Sequence, residues 1–306
     1  MEKRLTANAM LFSVGFVFML ICAVGAFFYG IKLGTEKTEA KYAAEEAEAS
    51  GAAADDAPYE QQDLVSFYHT VFLPYREFQI EWFSALDKLT QGKTEDATSM
   101  FKDLSSLAAA KAKEAGSVNV NASPLLIDAQ VSYIRSLKLF SEASTKAATS
   151  AKSLGAAELL REVEKEKTYQ SAARFSLSAQ QAYYYSMLKW AASVNPDVPS
   201  EYKAPSILEL TQWQKLPVSV KNKLMADQLV SRGKLSSYYP HDLTSRVDDF
   251  VGSGQASKMK LHTLTAVVDL LINTEAVRPG DFAQNKAKLY KDALLPQLPF
   301  FYPEAG

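Results

Sequence analysis

Apolar and polar positions follow three distinct patterns along this chain, and the first is the plainest. The stretch 9–31, AMLFSVGFVFMLICAVGAFFYGI, carries no charge and is bracketed by Lys3 and Arg4 before it and Lys32 after it. A helix rises about 1.5 Å per residue, so this run covers the roughly 30 Å hydrocarbon core of a bilayer while satisfying its own backbone polar groups. A cleaved leader would be shorter and end in small residues, whereas this run continues through Phe27, Phe28 and Tyr29. Lipid modification of Cys22 is disfavoured by the bulky Ile21 before it. The pattern predicts a retained single transmembrane helix, with Tyr29 at the interface.

The second pattern is polar and Ala-rich. Residues 32–57 mix Ala with charge, and after Lys41 the run AAEEAEASGAAADDA holds acids and no Lys or Arg. It reads as an acidic stalk, a solvated spacer whose apolar seam is too thin for a coiled coil.

The third pattern is helical periodicity. Leu64, Tyr68, Val71, Tyr75, Phe78, Trp82, Leu86 and Leu89 recur at steps of three and four, predicting a helix over 59–91, with Phe67, Phe72 and Phe83 widening its stripe. Pro74 lies inside it and is expected to kink or split it near Leu73. Gly92 ends it, Thr94 caps a helix to about Ala115, and 116–122 form a loop. Ser123 and Pro124 open the next, lined by Leu126, Ala129, Tyr133, Leu137, Phe140, Ala143 and Ala147. Gly155 separates it from a long helix to Val194 with its seam on Ala172, Phe175, Ala179, Tyr183, Met187, Trp190 and Val194. Three prolines in 195–205 mark a boundary, beyond which the helices shorten. There Ser206 with Glu209 and Asp281 with Gln284 read as capping boxes, Pro217 and Asp242 start helices, Leu261 to Leu271 line another, and the last runs to Leu295. The tail, PQLPFFYPEAG, holds too many prolines for a helix and too many apolar residues to dangle, so it is expected to lie back over the bundle.

The fold class is therefore all-α: a cytoplasmic tail (1–8), a transmembrane helix (9–31), the stalk (32–57), an antiparallel helical bundle (58–195) and a smaller C-terminal helical subdomain (196–306). The chain of 306 residues, 47% hydrophobic and 22% charged, leaves enough polypeptide beyond the stalk for a sizeable core. A net charge of -2 gives no basic face for phosphates, so nucleic acid is not an expected partner. The single cysteine, Cys22, sits in the apolar run; a thiol-free remainder suits an oxidising exterior, and with the short inner tail this places the bulk outside the cytoplasm. In plan the layout resembles many envelope proteins of Gram-positive bacteria, a similarity that carries no residues across.

Candidate chemistry is sparse. His69, His241 and His262 show no metal-ligand spacing; His69 reads as rim-exposed and His262 as semi-buried beside an apolar stripe. Ser186-Met187-Leu188-Lys189 matches S-x-x-K, but the serine is mid-helix and Lys93-Thr94-Glu95 stands where K-T-G is needed, so the match reads as chance. Phosphate loops, dinucleotide fingerprints and a G-x-S-x-G elbow are absent from the sequence, and Glu162, Glu164 and Glu166 alternate with Lys165 and Lys167 as a solvated face. No catalytic residue, metal ligand or cofactor is implied. The one oddity is aromatic: three consecutive tyrosines, 183–185, cannot all face one core, because helical neighbours lie about 100° apart. Tyr184, Tyr185, Trp190 and Trp82 are thus the candidate groove for a ligand or partner, with Tyr184 or Tyr185 outward. The function class these patterns favour is a non-enzymatic, membrane-anchored binding or scaffolding component of the envelope, its partner an envelope protein or wall component. A ligand sensor signalling through a membrane partner and a wall hydrolase are the rival expectations.

Overall fold

The first strong apolar stripe forms a helix, but not a uniform one. α1 (Gln61–Phe67) passes into a π-helical turn (Tyr68–Phe72) and on into α2 (Leu73–Thr90), with helical backbone at both joints. The split expected near Leu73 is absent, although the helix changes from π to α at that residue. The wide turn just ahead of it lets Leu73 N–H donate to Tyr68 O, five residues back, so a residue that lacks an N–H is carried without ending the helix. The added residue also rotates the stripe, and Phe67, Tyr68, Val71 and Phe72 all turn inward.

The computed structural model describes residues 59–93, 96–118, 120 and 123–302. The tail, span and stalk expected at 1–57, and the cap expected at Thr94, lie outside the described residues. Among those described, no helix is long and apolar enough to cross a membrane.

Three more helices complete the larger bundle: α3 (Ala97–Ala115), α4 (Pro124–Ser150) and α6 (Lys167–Val194). Each runs antiparallel to its neighbour. Gln130 Nε2 of α4 donates to Ala115 O at 2.8 Å, and Ser105 and Ser141 exchange side-chain to backbone hydrogen bonds of 2.8 and 2.9 Å between α3 and α4. Between α4 and α6, Ser136 Oγ donates to Ala172 O at 2.8 Å. Small residues make these approaches possible, as the thinning of the α4 stripe to Ala143 and Ala147 foretells. The helix expected to run unbroken from Gly155 is in fact two. α5 (Ala156–Lys165) stops at Glu166, which adopts extended backbone and accepts Tyr169 N–H at 2.9 Å to cap α6.

The remaining elements are short: α7 (Leu210–Trp213), α8 (Val218–Arg232), α9 (Pro240–Gly252), α10 (Gln255–Lys258), α11 (Leu264–Asn273) and α12 (Asp281–Leu289). α8 packs along α6, where Gln181 Nε2 donates to Asp227 Oδ1 at 2.8 Å. Several expected boundaries move. The capping box falls on Glu209 and Gln212 rather than on Ser206. Asp242 stands at the third helical position of α9, with Tyr239 as the cap. Gly280, at φ +90°, precedes α12, where Asp281 is the first helical residue, and the helix ends at Leu289 rather than Leu295. His262 is exposed, not semi-buried, while His69 is exposed as expected. The C-terminal strap does return to the bundle: Leu298 and Phe301 are buried, and Phe300 packs against Tyr68 and Phe72 with ring centroids 5.6 Å from each. Among the described residues there is no strand, only an isolated bridge between Glu209 and Thr263.

Candidate functional site

α2 has two faces. Tyr75, Phe78, Trp82 and Leu89 enter the core, while Arg76, Gln79, Ile80, Phe83, Ser84 and Asp87, at the complementary helical steps, line a cavity of about 900 Å³. Its opposite wall comes from three places far apart in sequence. The start of α9 supplies Tyr239, His241 and Asp242, the turn before α12 supplies Pro279 and Gly280, and the strap supplies Pro299 and Phe300.

Asp242 holds that wall together. It is 1% exposed, and its carboxylate accepts the backbone N–H groups of Tyr239, Gly280 and Phe282, each at 3.1 Å. One side chain therefore caps α9 and fastens the start of α12 to it.

His241 sits beside it in an aromatic sleeve. Its ring stacks on Phe300 at 4.8 Å and on Tyr239 at 5.8 Å, and meets Phe282 and Phe301 edge-on. Nδ1 shares a 2.5 Å hydrogen bond with Tyr184 Oη, and Nε2 lies 3.9 Å from Asp242 Oδ2. Burial pushes the imidazole down to about 4, with Arg76 adding to the fall and Asp242 opposing it. At neutral pH the ring is uncharged, offering one donor and one acceptor. Burial likewise raises the Tyr184 and Tyr239 hydroxyls well above their ordinary value, so both stay protonated.

The other polar groups are mostly engaged. Tyr239 Oη donates to Gln79 Oε1 at 2.5 Å, and Gln79 Nε2 donates to Ser236 O at 2.9 Å. Arg76 differs. Half-buried, it lies 5.9 Å over the Tyr239 ring and 3.5 Å from Tyr68 Oη, and among the described residues no carboxylate comes within ion-pair distance of it.

The residues singled out from the sequence do not share a face. Trp82 is wholly buried among Phe78, Phe101, Phe140 and Tyr169, and Trp190 is buried in the seam of α6. Tyr184 is buried too, against His241 behind the cavity wall. Tyr185 is the outward member of the tyrosine run, half-buried, 3.3 Å from Glu201 Oε1 and beneath Lys189 and Lys223. Ser186 of the S-x-x-K match is buried and donates to Tyr183 O at 2.7 Å, a helix-internal bond.

Sequence reasoning missed Arg76, Tyr239, His241 and Asp242. A local signal existed in Tyr239-Pro240-His241-Asp242, a proline at the first helical position with an acid two residues on. It marks a helix start; nothing local links it to Tyr184, 57 residues earlier.

A second polar cluster lies between α7, α8, α9 and α12. Asp248 takes both oxygens to Lys221 Nζ, at 3.0 and 3.1 Å, and accepts from Trp213 Nε1 at 2.7 Å and Tyr290 Oη at 2.6 Å. With every lone-pair direction occupied, this is a structural tie beside a cavity of about 700 Å³. Among the described residues no group of three or more His, Cys, Asp or Glu is placed to hold a metal ion. Set against protein-family models, curated proteins and solved structures, the chain matches none.

Proposed function

We propose that the chain is a membrane-anchored helical binding protein of the cell envelope, held by the apolar stretch 9–31 with its helical part outside the cytoplasm, and that it acts by holding a ligand rather than by turning one over. The observation that carries this reading is the cavity between α2, α9 and the strap. At about 900 Å³ it falls in the range of small-molecule sites, roughly 300–1,000 Å³, and it combines apolar walls with a few placed polar groups. The state of His241 supports binding over catalysis. A general base works best with a pKa near the working pH and a reachable nitrogen. This ring is held near 4, is packed between aromatic rings, and has its Nδ1 committed to Tyr184.

The test is a thermal-shift screen of the full-length chain against envelope-derived small molecules, beside a Ser84→Trp variant that fills the cavity from its α2 wall. A ligand at about 100 times its Kd adds about 2.7 kcal/mol, a rise of about 5–10 °C at this chain length. A shift seen in the wild type and lost in Ser84→Trp supports the reading. A screen in which nothing moves the wild type, or in which both proteins shift alike, overturns it.

A further inference from the structure

We propose that the cavity takes a small amphipathic monoanion, a carboxylate whose head pairs with Arg76 and whose apolar body lies between Phe83, Tyr239 and Phe300. This rests on the cavity being the ligand site and adds the chemical class of its occupant.

The charge comes from one group. Arg76 is a half-buried guanidinium on the cavity wall with no carboxylate in ion-pair reach among the described residues. A buried cation is ordinarily paired, because partial desolvation weakens its hydration and a neutral hydroxyl or ring face restores only part of that loss. Its planar fork matches a carboxylate at two points. Apart from the exposed Lys88 and Lys93, no other lining group competes for the head. His241 is neutral, Gln79 has its oxygen and nitrogen committed to Tyr239 and Ser236, and Asp242 is buried with its oxygens taken by three backbone N–H groups. Lys88 and Lys93 stand on the exposed rim with Asp87, so the mouth carries a surplus of positive charge as well.

The apolar part of the site is equally specific. Ile80 is 56% exposed on the outer face of α2, and Phe83, Pro279 and Pro299 extend that surface along the cavity. An isolated exposed isoleucine needs no explanation, but one set in a concave wall of rings and prolines beside a cation is a surface shaped for an apolar body. A single half-buried guanidinium suits a single negative charge, since Lys88 and Lys93 are exposed and screened by water.

Equilibrium dialysis of the full-length chain in phosphatidylcholine nanodiscs, with naphthoate and its uncharged amide as probes and empty nanodiscs as blank, tests this. The wild type is expected to retain naphthoate about tenfold or more better than the amide. Arg76→Gln is expected to erase that preference while still binding the amide, Arg76→Lys to restore part of it, and Ser84→Trp to release both probes. Equal retention of carboxylate and amide by the wild type, a preference that survives in Arg76→Gln, or no binding of either probe at millimolar concentration refutes the anion assignment and leaves the cavity reading to the thermal screen. Unchanged binding in Ser84→Trp refutes the cavity reading itself.

Discussion

Replacing Asp242 by alanine isolates the residue that assembles the cavity wall. Its carboxylate accepts three backbone N–H groups at 3.1 Å, those of Tyr239, Gly280 and Phe282. Gly280 is exposed and can turn to water, but Tyr239 and Phe282 are buried, so the substitution orphans two buried donors. Each orphan costs about 1–3 kcal/mol, and loss of an acid from the first turn of α9 adds about 0.3–1 kcal/mol. The sum is about 2–7 kcal/mol, which at 2–4 °C per kcal/mol lowers Tm by about 4–28 °C. Asp242→Asn is a graded control. Its oxygen can serve Gly280 and Phe282 while its NH2 faces the Tyr239 N–H, donor against donor, for about 1–3 kcal/mol. Asp249→Ala, about two turns along α9 from Asp242, removes only an ion pair of 2.9 Å to Lys288 and a longer one of 3.6 Å to Arg246, worth about 0–1 kcal/mol. Thermal unfolding of the full-length chain followed by far-UV circular dichroism ranks the three. Equal losses for Asp242→Ala and Asp249→Ala, or an Asp242→Ala loss under about 1 kcal/mol, would refute the assignment of Asp242 as the clasp between α9 and α12.

Three further outcomes follow from the same geometry. The His241 imidazole is held at about 4 against an ordinary value of 6.5, so the unfolded chain binds the extra proton first; folding stability is unaffected above pH 6.5 and falls by about 3 kcal/mol as pH drops from 6.5 to 4. His241→Gln should flatten that part of the stability–pH curve measured by denaturant titration, and an unchanged slope would contradict the burial assigned to the ring. Asp248→Ala strands Lys221, Trp213 Nε1 and Tyr290 Oη, and is expected to cost about 3–5 kcal/mol, whereas Lys221→Met with Asp248→Leu costs less; a double variant weaker than Asp248→Ala would contradict the network. Glu166→Ala removes the acceptor that caps α6, for about 1 kcal/mol, and should speed amide exchange at Tyr169. Burial works against the Glu166 carboxylate, but Tyr169 N–H and Lys146 hold its pKa below the ordinary value, so this contribution is present above that value and disappears as pH falls through the lowered one.

Much of the helical layout was legible because period is a local property. The stripe from Leu64 to Leu89, the Pro124 start, the Pro217 start and the return of the apolar tail all emerge from spacing and composition. The misplacements share a cause. At Pro74 the backbone had a cheaper answer than breaking, a π turn; at Glu166, inside an ordinary lysine–glutamate run, the side chain accepted the Tyr169 N–H three residues on and so divided a helix that propensity would continue. The starts near Ser206 and Asp281 moved where distant elements hold the backbone: Leu210 N–H donates to His262 O, and Gly280 N–H to Asp242.

The aromatic groove shows the same limit from the other side. Three consecutive tyrosines require one to point outward, and Tyr185 does; which of its neighbours would meet a ligand could not be read from α6 alone. The cavity needs the outer face of α2, the first turn of α9, the turn before α12 and the strap at once, and His241 gains its partner from a residue 57 positions away.

By itself, then, the amino-acid order determined an uncharged apolar stretch of bilayer-spanning length, an acidic Ala-rich stretch after it and a set of amphipathic helices, because hydrophobic period, caps and breakers act over a few residues. Tertiary structure alone decided that Arg76 has no carboxylate in ion-pair reach among the described residues, that burial keeps His241 uncharged at neutral pH, and that Asp242 clasps two helix starts around a cavity. Those are properties of desolvation and of groups brought together from distant parts of the chain, and no window along the chain contains them.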